Sequence, residues 1–339
     1  MVPSLIERRP KVAVVAAKAG VSVATVDRVI NGRGGVHPST ARRVETAIRE
    51  IVGSRTVKPP GPRRQRRFSV LLAGDGSQVT RTLADALLRE GTDVGASVSV
   101  TFVERMNPSA LAGQLRACLS GGCDGVAAQV LDHVLVREAM AELAEVGIPF
   151  VTVLTDMASA DRMSYVGLDN RAAGRTAGFL MSRFSRGPGH LAVVWGGELY
   201  RSHEERESGF RSVLRYERPD LTCLEVITDN DDAAVARSRI RELIATHGDL
   251  SGIYCVGGGI TGVAEALEHA PCDRRIVTIG HNFNSQTKPY LLAGTIDALI
   301  HQDTATIARG VLHALVSPKP PPTVGVPIEI ITRENVAHR

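Results

Sequence analysis

Residues 253–267 read IYCVGGGITGVAEAL: an apolar run, a glycine cluster and then a helical stretch. Gly257, Gly259 and Gly262 satisfy G-x-G-x-x-G, the spacing that seats a dinucleotide pyrophosphate on a helix N-terminus. The surroundings argue against that chemistry. The fingerprint ordinarily opens the first strand–helix–strand unit, whereas here it follows the seventh predicted strand. The next strand ends in Gly280-His281-Asn282, with no Asp or Glu to hold a ribose 2′-hydroxyl, so no nucleotide cofactor is expected. The segment HEERE at 203–207 starts like a zinc-protease helix, but Glu207 stands where the second His belongs. No G-x-S-x-G elbow or Walker loop occurs, and the histidines are scattered singly. With no catalytic and no metal-ligating constellation, the polar residues are expected to bind rather than to catalyse.

Charge divides the chain. Residues 1–68 carry 15 Lys/Arg against 4 Asp/Glu, while the remaining 271 residues carry 25 against 32. A basic block on a mildly acidic body fits a nucleic-acid-binding head attached to a different machine. The five cysteines (118, 123, 223, 255 and 272) are an odd number without a C-x-x-C pair, which argues against a disulfide framework and a zinc site and fits a reducing compartment. The N-terminal apolar run before Lys18 is six residues, short of a secretory core, and no 18-residue apolar stretch follows. A cytoplasmic protein without a membrane span is expected.

These candidate residues need elements to position them. From residue 68 onward, short apolar runs alternate with helical periods. Strands are predicted at 68–73, 97–103, 125–130, 148–154, 191–195, 224–228, 252–256, 275–280 and 295–300. Between them, VTRTLADALLRE places Val79, Leu83, Leu87 and Leu88 on one helical face. Asn107 before Pro108 is a helix start, with an Asx cap and Pro at the first helical position. This alternation predicts an α/β body of doubly wound parallel sheets in two lobes. Residues 1–55 instead form a small all-α domain. Residues 56–67, TVKPPGPRRQRR, with three prolines and five basic residues in twelve, read as an extended linker.

Within the head, a first helix should stop at Gly20, a left-handed cap position. Ser22 can then cap a second helix from Val23 to about Ile30, and Pro38 opens a third that ends near Gly53. A turn this short between two helices is helix-turn-helix geometry, in which the second helix enters the major groove. Val26, Val29 and Ile30 form its inner stripe, and Val23, Ala24, Thr25 and Arg28 face outward.

The run Ala19-Gly20-Val21-Ser22, Ala24-Thr25-Val26, Arg28-Val29 and Asn31, followed by Val36, Thr40 and Val44, resembles the N-terminal domain of the LacI/GalR family of bacterial transcriptional repressors. The resemblance implies that Val23 and Ala24 read bases with Arg28 beside them, and that Asn31 and Thr40 meet the phosphate backbone. Asp27 departs from the small polar residue usual there. It can accept from a cytosine amino group or pair with a neighbouring Arg. The linker departs as well. The family forms a hinge helix with a leucine wedge, whereas Pro59, Pro60 and Pro62 disfavour a helix here and no leucine is present. Arg63, Arg64, Arg66 and Arg67 can enter a narrow minor groove by charge or act as solvated linker charge.

The same resemblance implies a periplasmic sugar-binding-protein-like body over residues 68–339. Lobe 1 is expected at about 68–168 and 301–325, and lobe 2 at about 169–300 and 326–339, with a small carbohydrate-like effector between them. The markers are Gly167 with Asp169-Asn170 and Ala173-Gly174, Arg206 with Gly209-Phe210, Gly280-His281-Asn282, Gln302-Asp303 and Arg333-Glu334-Asn335. At strand ends facing such a crevice, Asp132 can accept from adjacent hydroxyls and Arg206 can donate a bidentate pair. Asn282 and Gln302 can do both. Asp75, His133, Asp156 and His203 fall at similar places. Family members usually carry Asn-Asp after the strand ending at Val256. Here Gly258 and its neighbours stand instead, supplying room and backbone N–H groups for a bulkier or anionic sugar. The expected partners are double-stranded operator DNA, a sugar, polyol or sugar acid, and a second copy of the chain. The competing readings are an enzyme, or a sugar-binding protein without a DNA role, using the same cleft.

Overall fold

The computed structural model describes residues 12–31, 33–53, 65–74, 78–105, 107–157, 162–270 and 275–336. It divides into two compact units, one ending at Arg64 and the other beginning at Gln65.

The first unit holds α1 (Val12–Ala19), α2 (Val23–Ile30) and α3 (Pro38–Gly53). Gly20 ends α1 at φ +61°, a left-handed conformation that costs glycine no Cβ clash. Val21 N–H then returns to the Ala16 carbonyl at 3.1 Å. The Arg43 guanidinium, reaching back from α3, donates to the carbonyls of Ala19 (2.7 Å) and Gly20 (3.3 Å) and so satisfies the end of α1. Ser22 Oγ accepts the Thr25 N–H at 3.2 Å and starts α2. The three helices close on Val15, Ala16, Ala19, Val26, Val44 and Ala47.

The second unit contains two sheets. The first is ordered β12-β5-β4-β3-β1-β2, with β1 at Arg67–Ala73, β2 at Ser97–Val103, β3 at Gly125–Ala128, β4 at Phe150–Val153, β5 at Ser164–Gly167 and β12 at Thr323–Gly325. All its pairings are parallel. The second is ordered β13-β11-β10-β9-β6-β7: β6 is Gly189–Trp195, β7 Leu221–Cys223, β9 Leu250–Cys255, β10 Val277–His281, β11 Ala298–His301 and β13 Glu329–Ile331, while β8 (Ile227–Thr228) also pairs with β6. Only β11–β13 is antiparallel. Residues of β3, β4 and β5 are buried throughout, the continuous apolar signature of parallel strands covered on both faces. The chain crosses between the lobes three times, after β5, after β11 and after β12.

Helices α4 (Gln78–Asp93), α5 (Pro108–Ser120), α6 (Val134–Glu145) and α12 (Thr304–Val316) belong to the first lobe. The second holds α7 (Asn170–Phe184), α8 (Arg201–Glu217), α9 (Ala233–Thr246), α10 (Ile260–Glu268) and α11 (Lys288–Ala293). Side-chain oxygens cap several of them as the sequence suggests: Asn107 accepts from Ala110 N, Asp169 from Ala172 N and Asp303 from Thr306 N.

The structure adds four short strands that the sequence reading missed, at 164–167, 221–223, 323–325 and 329–331. It also reduces the predicted strand 224–228 to residues 227–228. Strand β1 begins one residue early. Arg67 N–H donates to Asp124 Oδ2 at 2.8 Å, and Arg66 donates to the Val316 carbonyl at 3.2 Å. These two arginines, assigned above to the linker, are therefore bonded within the body. The rest of that linker lies outside the described residues, except its Gln65. No helix among the described residues is long and apolar enough to cross a membrane.

Candidate effector cleft and nucleic-acid interface

In the helix-turn-helix unit the amphipathic α2 turns Val26 fully inward and leaves Val23 53% exposed on the opposite side. Ser22, Ala24 and Arg28 are exposed and Thr25 is half-buried, so the first turns of α2 present a surface. Ser22 Oγ and Thr25 Oγ1 lie 2.9 Å apart and satisfy one another locally. Asp27 accepts from Asn31 Nδ2 at 2.7 Å and from Arg33 Nη1 at 3.3 Å. In the free chain Asp27 thus forms an intramolecular pair with an arginine. Thr40 sits in the first turn of α3 and is half-buried.

In the second unit the carboxyl ends of both sheets face a cavity of about 310 Å³, lined from both lobes. Arg206 is its most elaborated member. Helix α8 packs against α7 so closely that a Cβ on Gly174 would overlap the Arg206 carbonyl. The guanidinium is buried. Its Nε donates to Asn170 Oδ1 at 2.8 Å and its Nη1 to the Val256 carbonyl at 2.7 Å, which leaves donors for the cavity. Asn170 in turn donates to the Tyr165 hydroxyl at 3.0 Å, which donates to the Leu168 carbonyl at 2.9 Å. Burial pulls the Arg206 pKa downward.

Two histidines join it. His203 Nδ1 accepts the Gly196 N–H at 3.2 Å, so the neutral ring carries its proton on Nε2. Burial lowers its pKa to about 4, against an opposing pull from Asp231. His281 Nε2 lies 2.8 Å from the Tyr254 hydroxyl, and burial also holds this imidazole neutral. Its Nδ1, the Tyr200 hydroxyl and Gln302 Oε1 are buried and have no hydrogen-bond partner among the described residues. All three residues line the cavity. Buried polar atoms ordinarily find partners, so these three residues bring unmet hydrogen-bonding capacity to the cavity wall, which suits a polyhydroxylated molecule. Asn282 stands in the left-handed region (φ +66°), which Asn tolerates, and its Oδ1 accepts from Gln302 Nε2 at 3.4 Å.

Of the residues singled out in the sequence, His203, Arg206, Gly258, Asn282 and Gln302 thus lie on this wall. Asp132 does not, because its carboxylate is taken by Arg137. His133 caps α6, and Asp156 is held by Thr152 Oγ1 at 2.8 Å and Arg162 at 2.7 Å. Asp75 lies outside the described residues. Sequence reasoning missed Arg105, Gln129, Tyr200 and Asp231, and named His281 only as part of the marker Gly280-His281-Asn282.

The glycine cluster also acquires its physical reason. A Cβ at Gly259 would overlap the Asp229 carboxylate, and one at Gly262 the Ala233 carbonyl of α9. Two of the three fingerprint glycines therefore serve internal packing. The expected open space and free amide for an anion are absent, since Gly258 N–H donates to Asp231 Oδ1 at 2.6 Å.

Two parallel-sheet lobes around a polar cleft, encoded behind a helix-turn-helix unit, define a regulator that binds DNA and a small molecule. The comparisons identify the family. Residues 68–317 match the periplasmic binding protein domain, and residues 14–52 match the bacterial regulatory proteins of the lacI family. The chain belongs to the LacI-type transcriptional regulators, with a periplasmic-binding-protein-like effector domain. It is 26% identical over 273 residues to the HTH-type transcriptional regulator CelR of Thermobifida fusca, covering 78% of this chain and 72% of that one. Its fold is that of GanP, a glucose-galactose binding protein from Geobacillus stearothermophilus (TM-score 0.75, 19% identity, 80% of this chain and 99% of that one). It is likewise that of a solute-binding protein from Agrobacterium vitis bound with α-D-tagatopyranose (TM-score 0.74, 22% identity, 80% and 96%).

Proposed function

We propose that this protein is a cytoplasmic, homodimeric repressor that releases its operator when a sugar, polyol or sugar acid binds between the two lobes of its body. The observation that carries the effector reading is the cavity wall: a buried arginine with donors to spare beside three buried, unpartnered polar atoms. Such a wall is matched by a ligand dense in hydroxyl groups. The apolar Val23 and Ala24 suit contact with thymine methyl groups, Arg28 supplies a base-edge or phosphate donor, and Asn31 and Thr40 suit the backbone. Two copies would then read a pseudo-palindromic site, one recognition helix in each half-site. No catalytic step is assigned to the cleft.

Fluorescence anisotropy of the full chain on fragments of its own upstream region, over a salt series and with a sugar panel, tests this. Tight, salt-sensitive binding to one fragment, weakened by one sugar, is expected. Equal weak binding to every fragment with no response to any sugar would reduce the head to a basic appendage.

A further inference from the structure

The turn after β9 carries glycines where the family resemblance implies polar side chains, and the structure shows what fills that space. A Cβ at Gly196 or Gly257 would overlap the Asp231 carboxylate, and one at Gly258 would lie 3.1 Å from Asp231 Cβ. The three glycines, drawn from two different strand ends, form a cradle around one carboxylate that arrives from a third. Gly258 N–H donates to its Oδ1 at 2.6 Å, which leaves the lone pairs of Oδ2 uncommitted by any bond to the cradle.

The chain holds Asp231 there against backbone preference. Asn230 and Asp231 are consecutive residues at φ 55° and 57°, the left-handed region that non-glycine residues enter at a cost. The turn is strapped by Asp229, whose Oδ1 accepts the Asp231 N–H at 2.9 Å and whose carbonyl accepts the Asp232 N–H at 3.0 Å. On the other side the Asp231 carbonyl accepts from Arg105 Nη1 at 3.0 Å. Arg105 follows β2 and belongs to the first lobe, so this bond crosses the cleft.

We propose that Asp231 is the carboxylate that selects a neutral, hydroxyl-rich effector over its anionic counterpart, and that Arg105 ties this recognition to closure of the lobes; the inference rests on the sugar-responsive reading above. A carboxylate accepts from sugar hydroxyls and repels a sugar acid. The charged side chains of the wall are two arginines, Arg105 and Arg206, and two aspartates, Asp231 and Asp232, so its formal side-chain charge is zero and it offers an added anion no net attraction. A neutral ligand bonded to Asp231 sits on a turn that the opposite lobe already grips.

Isothermal titration of the full chain with D-glucose, D-galactose, D-arabinose and D-tagatose, and with D-glucuronate and D-galacturonate, is the test. The wild-type chain should bind a neutral sugar more tightly than either uronate. Asp231→Asn keeps an acceptor for Gly258 and tolerates the left-handed backbone. It should weaken the neutral sugar about 10- to 100-fold and shift the neutral-to-uronate ratio at least tenfold toward the uronate. Asp231→Gly, equally at ease at that φ, repeats the test should the first variant melt early. A bound sugar should lower the radius of gyration of the wild-type chain and lower it less in Arg105→Ala; an equal decrease in both overturns the link to lobe closure. An unchanged neutral-to-uronate ratio in both Asp231 variants overturns the proposal while leaving the sugar-responsive reading intact. A wild-type chain that binds none of these, nor any member of the wider panel of sugars, polyols and sugar acids, overturns both.

Discussion

Asp229 occupies an unusual position for a carboxyl group. It is fully buried, one oxygen accepts the Asp231 N–H, and the other has no partner among the described residues. Burial first, and the charges of Asp231 and Asp232 second, raise its pKa to about 7, while two backbone N–H bonds pull the other way. The buried Cys255 thiol, itself pushed upward, lies close by. In the unfolded chain the group returns to the ordinary value near 3.9. The folded state therefore binds the extra proton. The stability this contributes is fully present below about pH 4 and is lost as pH rises through about 7. His203 and His281, held neutral by burial, act in the opposite sense, and their contribution is lost as pH falls below about 6.5. Comparing Asp229→Asn with the wild-type chain cancels the histidines. The variant's melting temperature, relative to wild type, should rise between pH 5 and about pH 7 and level off above it. A constant difference would mean that Asp229 is ionised throughout.

At the scale of elements, α2 depends on its cap. It is eight residues long, too short to be stable alone, and Ser22 satisfies one of its free N–H groups. Ser22→Ala should cost the first unit about 1 kcal/mol, read as faster amide exchange in residues 23–30 of the full chain with the body unaffected. This cap was legible because Gly20, Ser22 and the apolar Val26 stand at fixed offsets, and local chemistry alone sets a helix start. The long buried strands were legible for a related reason, as short apolar runs such as SVLLA and AVVW, spaced between helical periods, fit strands covered on both faces. The strands SYVG, LTC, TVG and EII are three or four residues long, carry Ser, Thr, Gly or Glu, and exist because a neighbouring strand offers them a partner. In the cleft, Arg206, Asn282 and Gln302 could be read from motif and strand end. Asp132 could not be excluded, because its partner Arg137 lies one helical turn on and claims it only once α6 has formed. Asp231 and Arg105 were missed because each projects from a turn whose direction is set by other elements. The one available signal was the run Thr228-Asp229-Asn230-Asp231-Asp232, dense in residues that tolerate a left-handed backbone.

For the whole molecule, the proposed regulation is a coupling free energy between two sites, and such a coupling is reciprocal. The helix-turn-helix unit and the effector unit are separate compact bodies with separate cores, so neither ligand can influence the other by direct contact within one core. Whatever links them must be a difference in the free energies of two states of the chain, and an effector can shift that balance only by its differential affinity for the two. Should the sugar weaken operator binding 100-fold, about 2.7 kcal/mol of coupling is involved. Saturating operator DNA must then weaken sugar binding by the same 100-fold. Titrating the sugar into the free protein and into the protein–operator complex, at one salt concentration, measures this directly. Equal factors in the two directions are expected. If the sugar displaces DNA but operator leaves sugar affinity unchanged, the displacement comes from something other than binding at the cleft, such as aggregation or competition at the DNA surface. The salt series separates these cases further: the operator affinity carries the steep dependence of phosphate neutralisation, whereas sugar binding to the free protein, at a wall whose side-chain charges are balanced, should be nearly flat in salt.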